Sequence, residues 1–128
     1  MSLETNQAWQ LAMAVVPMIY KLTASFPREE RYVLTSQIRR AAVSIPSNIA
    51  EGYARPSRRD YARFICHAQG STAELSTQLK IASNLGYMTM NERLADDLDH
   101  LARSLNNLRR SLLRSARIPN PESRTPKQ

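Results

Sequence analysis

Three features of the sequence predict an all-α fold, an antiparallel up-down-up-down four-helix bundle. Only three glycines in 128 residues leave little for the tight turns that a strand-rich fold needs. Prolines, glycines and capping residues divide the chain into four long segments, each with apolar residues at helical period. In the last of them Leu94, Leu98, Leu101, Leu105, Leu108 and Leu112 follow 4,3,4,3,4 spacing, the narrow stripe by which bundle helices pack. Short connections between amphipathic helices make consecutive ones antiparallel neighbours.

The first helix is expected from about Glu4 to Ala24, ending at Phe26-Pro27 because the residue before a proline is pushed out of the helical region. It carries two apolar stripes, Trp9, Met13, Val16 and Tyr20 on one side and Leu11, Val15, Met18 and Leu22 about 200° away. Gln10, Ala14, Pro17 and Lys21 are left for water. A bundle core covers one stripe, so Leu11, Val15, Met18 and Leu22 form the expected oligomer interface with another copy of the chain. The alternative is that they pack on helix two or on the tail.

The second helix opens with Glu29 and Glu30, acids suited to a positive helix start, and stops near Gly52. Its buried stripe is Leu34, Ile38, Ala41, Ile45 and Ile49. Pro46 removes a helical hydrogen bond and frees the Ala42 carbonyl, which predicts a bend, with Ser47 and Asn48 placed to satisfy exposed backbone groups. Arg40 and Glu51 lie on one side of this helix and form an expected structural link, within or between chains. Ser57 and Asp60 have capping-box spacing and start a third helix that ends at Gly86, burying Tyr61, Ile65, Ala68, Thr72, Leu75, Leu79 and Ala82. Thr89 with Glu92 repeats the device, and the fourth helix runs to about Ser115. Residues 1–115 are thus the expected bundle, and 116–128, with Pro119, Pro121 and Pro126, a basic flexible tail.

A chain of this length supports one core, which excludes a large multidomain enzyme. Its 42% hydrophobic and 23% charged residues are those of a globular protein. Cys66 is the single cysteine, so neither an intrachain disulfide nor a thiolate metal cluster within one chain is available. No apolar run approaches the roughly 20 residues of a membrane span, and the N-terminal stretch is unlike a signal peptide. The expectation is a cytoplasmic protein with no membrane partner.

Charge points to a partner. Lys and Arg number 18 against 11 Asp and Glu, a net charge of +7, and the excess is arginine in two groups. One comprises Arg103, Arg109, Arg110, Arg114, Arg117, Arg124 and Lys127, with Glu122 the sole acid among them. The other surrounds the turn between helices two and three: Arg39, Arg40, Arg55, Arg58, Arg59 and Arg63, with Glu51 and Asp60 nearby. Guanidinium forks match phosphate geometry, and an oligomer repeats each patch around its axis, so RNA or DNA is the expected partner. No aromatic lies beside the C-terminal arginines in sequence. The alternative is that the arginines pair with acids across subunits or keep the surface solvated.

Catalytic signatures are missing: no G-x-S-x-G, Walker loop, H-E-x-x-H or cysteine pair occurs. No catalytic, cofactor-binding or metal-ligating residue is expected. His67, Ser71, Glu74 and Gln78 share one side of the third helix and read as a polar stripe between helices or subunits rather than an acid-base or metal site. Cys66 reads as a buried or interface hydrophobe.

The unbroken run from Leu34 through Gln37-Ile38-Arg39-Arg40-Ala41-Ala42 and Ser44-Ile45-Pro46-Ser47-Asn48-Ile49-Ala50 to Glu51-Gly52 resembles the signature of the 23S rRNA intervening-sequence proteins. Phe26-Pro27 before it, and Phe64, Ala68-Gln69-Gly70-Ser71, Glu74-Leu75, Gln78-Leu79 and Leu85-Gly86-Tyr87 after it, extend the resemblance over roughly residues 8 to 113. It implies a small bacterial four-helix bundle that assembles into a ring-like homopentamer and has no established enzyme activity. The accessory variability proteins of diversity-generating retroelements are similar in fold, and there a basic pentamer engages nucleic acid and a reverse transcriptase. The resemblance therefore adds a nucleic-acid enzyme to the expected partners. It also sustains the alternative of a protein-interaction scaffold that touches no nucleic acid itself. The family takes its name from where some of its genes lie, within rRNA insertions, which does not make the chain a ribosomal component.

Overall fold

Side-chain caps decide where the helices begin. The structure, a computed structural model, describes residues 2–117, at 115–117 by their helical backbone alone. Asn6 caps α1 (Gln7–Thr23) by accepting the Trp9 N–H at 2.9 Å, so Glu4 falls instead in a 3-10 turn, Leu3–Thr5. Glu29 and Glu30 likewise form a separate 3-10 turn, Arg28–Glu30, ahead of α2 (Leu34–Tyr53). Glu30 still serves the helix start from outside, accepting the Leu34 N–H at 3.3 Å. Ser57 caps α3 (Arg58–Asn84) as its spacing implies, accepting the Asp60 N–H at 3.0 Å, and Gly86 takes the positive φ of 80° beyond the helix end. For α4 (Glu92–Arg117) the cap is Asn91 and not Thr89, because the Asn91 side chain immediately before the first helical residue accepts the Leu94 N–H at 2.7 Å. Most of the expected tail, including Arg124 and Lys127, lies outside the described residues.

Among the described residues the fold is a four-helix bundle without strands. Each helix packs on the next, and α1 closes the ring against α4. The start of α1, the end of α2, the start of α3 and the end of α4 line one common cleft, the placement that an up-down-up-down path produces. At the opposite end Phe26 meets Tyr87 at 5.6 Å, and the Tyr87 hydroxyl donates to Glu30 at 2.8 Å. The bond to that carboxylate raises the Tyr87 pKa above the ordinary tyrosine value and keeps the donor protonated.

The expected stripes of α2, α3 and α4 are the buried ones, apart from half-buried Tyr61 and Leu108. Helix α1 departs from expectation. Its core row is Ala8, Ala12, Val15, Ile19 and Thr23, which runs between the two apolar stripes and opposite the solvated strip. Val15 is 0% exposed inside the protomer and supplies no interface. Leu11, Met18 and Leu22 flank the core, half-buried against it. The large apolar side chains of α1 left in water are Met13 and Tyr20, 45% and 43% exposed. Trp9 and Val16 on one side of this row and Leu11, Met18 and Leu22 on the other are its half-buried shoulders.

Helix α2 continues through Pro46, which is buried. The Ser47 hydroxyl donates to the Val43 carbonyl and the Asn48 amide to the Ser44 carbonyl, each at 2.8 Å. These polar residues therefore serve the helix itself, although the carbonyls they bind are not that of Ala42. The Ser44 and Ser71 hydroxyls join α2 to α3. At the end of α2 the two backbones come close, and a Cβ at Gly52 would stand 2.7 Å from the Phe64 Cβ and 2.9 Å from Tyr61 Cδ1. Overpacking of this kind costs about 1–3 kcal/mol, so Gly52→Ala should lower stability by that much in urea unfolding despite alanine's better helix propensity. Unchanged stability would show that α2 and α3 can separate there.

Candidate nucleic-acid interface

The bundle brings together arginines that are some fifty residues apart in sequence. Arg55, Arg58, Arg59 and Arg63 lie at the turn into α3, while Arg109, Arg110 and Arg114 lie on the last turns of α4 and Arg103 near its middle. Arg58 shares the cleft at this end of the bundle with Ser104, Asn107, Leu108 and Ser111 of α4, so the two groups form one basic end. Among the described residues, the half built from residues 2–13, 44–70 and 103–114 holds these eight arginines against Glu4, Glu51 and Asp60. The other half is balanced, with seven cations and seven carboxylates. The excess positive charge of the folded bundle is thus concentrated at one end.

Local pairing sorts the eight. Arg55 binds Glu51 at 3.3 Å, Arg63 binds Asp60 at 3.5 Å, and both guanidinium groups lie over the Phe64 ring, at 4.7 and 4.8 Å. Within the chain Glu51 is therefore the partner of Arg55 rather than of Arg40, the separation of four residues being the shorter reach. Arg103 stands 3.9 Å from Asp99, and Arg109 donates to Asn106 at 2.8 Å. Arg58, Arg59, Arg110 and Arg114 are exposed and have no protein partner among the described residues. Arg117 ends α4, and its side chain is outside the described residues.

Arg39 and Arg40 do not join this surface. They sit in the first half of α2, more than about 20 Å along the helix from Arg55 at 1.5 Å per residue. Arg39 is structural: its Nε donates to Thr23 Oγ1 at 2.8 Å, Nη2 donates to the Tyr20 carbonyl at 3.3 Å, and the guanidinium lies 4.5 Å from the Tyr20 ring centre. These bonds fasten α2 to α1. Arg40 is exposed beside Tyr32.

The family-model comparison matches residues 4–107 to the 23S rRNA-intervening sequence protein. The chain belongs to that family. Among solved structures it is similar to a protein of unknown function from the S23 ribosomal protein family of Bacteroides thetaiotaomicron, with a TM-score of 0.55 and 19% identity, covering 87% of this chain and 95% of that one. That likeness concerns the fold. The comparison with curated proteins finds no match.

The polar stripe expected on α3 is divided in this 23S rRNA-intervening sequence protein. Ser71 joins Ser44, Gln78 is buried with its Oε1 unpartnered, and Glu74 is exposed. His67 is exposed with its ring edge on Phe64 at 5.7 Å. His100, the other histidine, lies 3.4 Å from the Gln7 amide on another helix. Among the described residues no cluster of three His, Cys, Asp or Glu side chains is placed to hold a metal, and no helix is long and apolar enough to cross a membrane. Cys66 is exposed and not buried, because it lies off the apolar stripe of α3. Tyr61, read from the sequence as a core residue only, and Tyr53, on which no sequence pattern fell, meet edge to face at 6.1 Å beside Arg58 and the α4 residues. Neither is near the C-terminal arginines in sequence, so only the fold places aromatics next to that basic group.

Proposed function

We propose that the protein is a non-enzymatic cytoplasmic homo-oligomer that binds RNA or DNA through phosphate contacts at its basic end. The convergence of two arginine groups, four of whose members have no protein partner among the described residues, carries this reading. Guanidinium groups fixed on helices at one pole sum to a field that draws in a polyanion without reading its bases. Self-association is supported by an apolar groove in which Trp9, Met13, Val16 and Pro17 of α1 face Val43 and Pro46 of α2. This groove, with the exposed Met13 row, takes over the interface role that the sequence assigns to Leu11, Val15, Met18 and Leu22. A pentamer is the assembly the family resemblance implies, and a ring with helices along its axis would put every basic end on one face.

Arg55, Arg63 and Arg103 are partly neutralised by their own carboxylates, which favours the second reading. In it the protein is a scaffold for an acidic partner or for a nucleic-acid enzyme such as a reverse transcriptase. Binding of labelled structured RNA and duplex DNA across a salt series separates the two. The first reading expects affinity for duplex DNA to fall by about 0.9 log units per log unit of salt for each phosphate neutralised. No binding at low salt would leave the scaffold.

A further inference from the structure

Between the two arginine groups, where the four helix ends meet, lies a cleft of about 590 Å³, within the roughly 300–1,000 Å³ range of small-ligand sites. One wall is aromatic. Tyr53 from the end of α2 and Tyr61 from the start of α3 are perpendicular to one another, with an interplanar angle of 89°. The Asn6 amide donates to the Tyr61 hydroxyl at 3.0 Å. Burial raises the Tyr61 pKa, only partly opposed by that bond, so the phenol stays neutral. The facing wall, from α4, offers Ser104, Asn107 and Ser111, whose side chains have no hydrogen-bond partner among the described residues. Arg58 also lines the cleft.

A surface that only gathers phosphates has no use for this combination. Aromatic rings offer a face or edge to a flat heterocycle, while hydroxyl and amide groups match the polar edge of a base. In a duplex both features of the base are already engaged, by stacking and by pairing. An unpaired nucleotide leaves them open, with a phosphate one bond series away for Arg58. We propose that this cleft receives an unpaired nucleobase, so that the basic end favours single-stranded over duplex nucleic acid. The inference rests on the nucleic-acid reading above.

The test compares fluorescence anisotropy of labelled oligothymidylate, oligouridylate, an abasic strand of equal length and a duplex, all at one salt concentration, on the full chain. Both base-bearing strands should bind about tenfold more tightly than the abasic strand, the size of one base stacked on an aromatic side chain. Tyr53→Ala should remove that difference and leave abasic and duplex binding as they were, whereas Tyr53→Phe should retain it. If Tyr53→Ala unfolds the bundle, Asn107→Leu, at an exposed α4 position lining the cleft, removes a polar group and adds bulk with no ring on which a base can stack, and should shrink the difference without altering either tyrosine. Equal affinity for abasic and base-bearing strands would overturn the cleft as a base site while leaving electrostatic binding in place. Absence of binding to every strand at low salt would overturn both.

Discussion

Replacing Arg58, Arg59, Arg110 and Arg114 together by alanine should flatten the salt dependence of duplex DNA binding by about three to four units of slope, at about 0.9 for each phosphate no longer neutralised. These four are the exposed arginines of the basic end that have no protein partner among the described residues, so no internal bond is removed with them. Surface changes of this kind move stability by about 0.5 kcal/mol or less each, and the thermal melt should stay close to that of the parent. The weakening should be alike for all sequences, since phosphate contacts set position and not base choice. Arg39→Ala should behave in the opposite way. It breaks the bonds to Thr23 and Tyr20 and should lower stability with little change in slope. An unchanged slope in the fourfold variant would mean that these four arginines are not the phosphate contacts and that other cations of the chain make them.

The second large effect concerns the core of α4. Leu101 is fully buried, and Leu101→Ala should cost about 2–5 kcal/mol, the sum of forfeited transfer energy and the cavity left behind. Leu108 belongs to the same 4,3,4,3,4 stripe, and periodicity alone would assign the two leucines equal weight. In the structure Leu108 is half-buried and lines the cleft at the basic end, so Leu108→Ala should cost distinctly less. Urea unfolding of both variants at one fixed protein concentration makes the comparison, the fixed concentration being needed because assembly stabilises by mass action. Equal destabilisation would mean that the end of α4 is as tightly enclosed as its middle.

The helices were legible in the sequence because their determinants are local. Proline exclusion at Phe26-Pro27, the Ser57 cap and the leucine period of α4 each act within a few residues, and each appears in the fold as read. Boundaries erred by a few residues where two capping groups competed, as at Thr89 and Asn91. The larger difference is in α1, where the two apolar stripes read from the sequence leave out Ala8, Ala12 and Ile19 of the core row between them. Small residues carry little hydrophobic signal and yet decide how closely helices approach.

The candidate site was legible only in its parts. Arginine-rich segments are evident in any linear reading, as is the resemblance that places the chain in its family. Which arginines share a surface depends on helix lengths and on the direction of each turn. The 27 residues of α3 carry the chain the length of the bundle, and α4 carries it back to end beside the start of α3. The sequence by itself determined helix formation, the buried stripes of three helices and the excess of arginine, since these follow from residue type and short-range spacing. Only the tertiary structure decided that Val15 is core, that Arg39 is a fastener, and that Arg58 and Tyr53 meet the end of α4. Those outcomes depend on contacts between segments far apart in the chain, which no local pattern encodes.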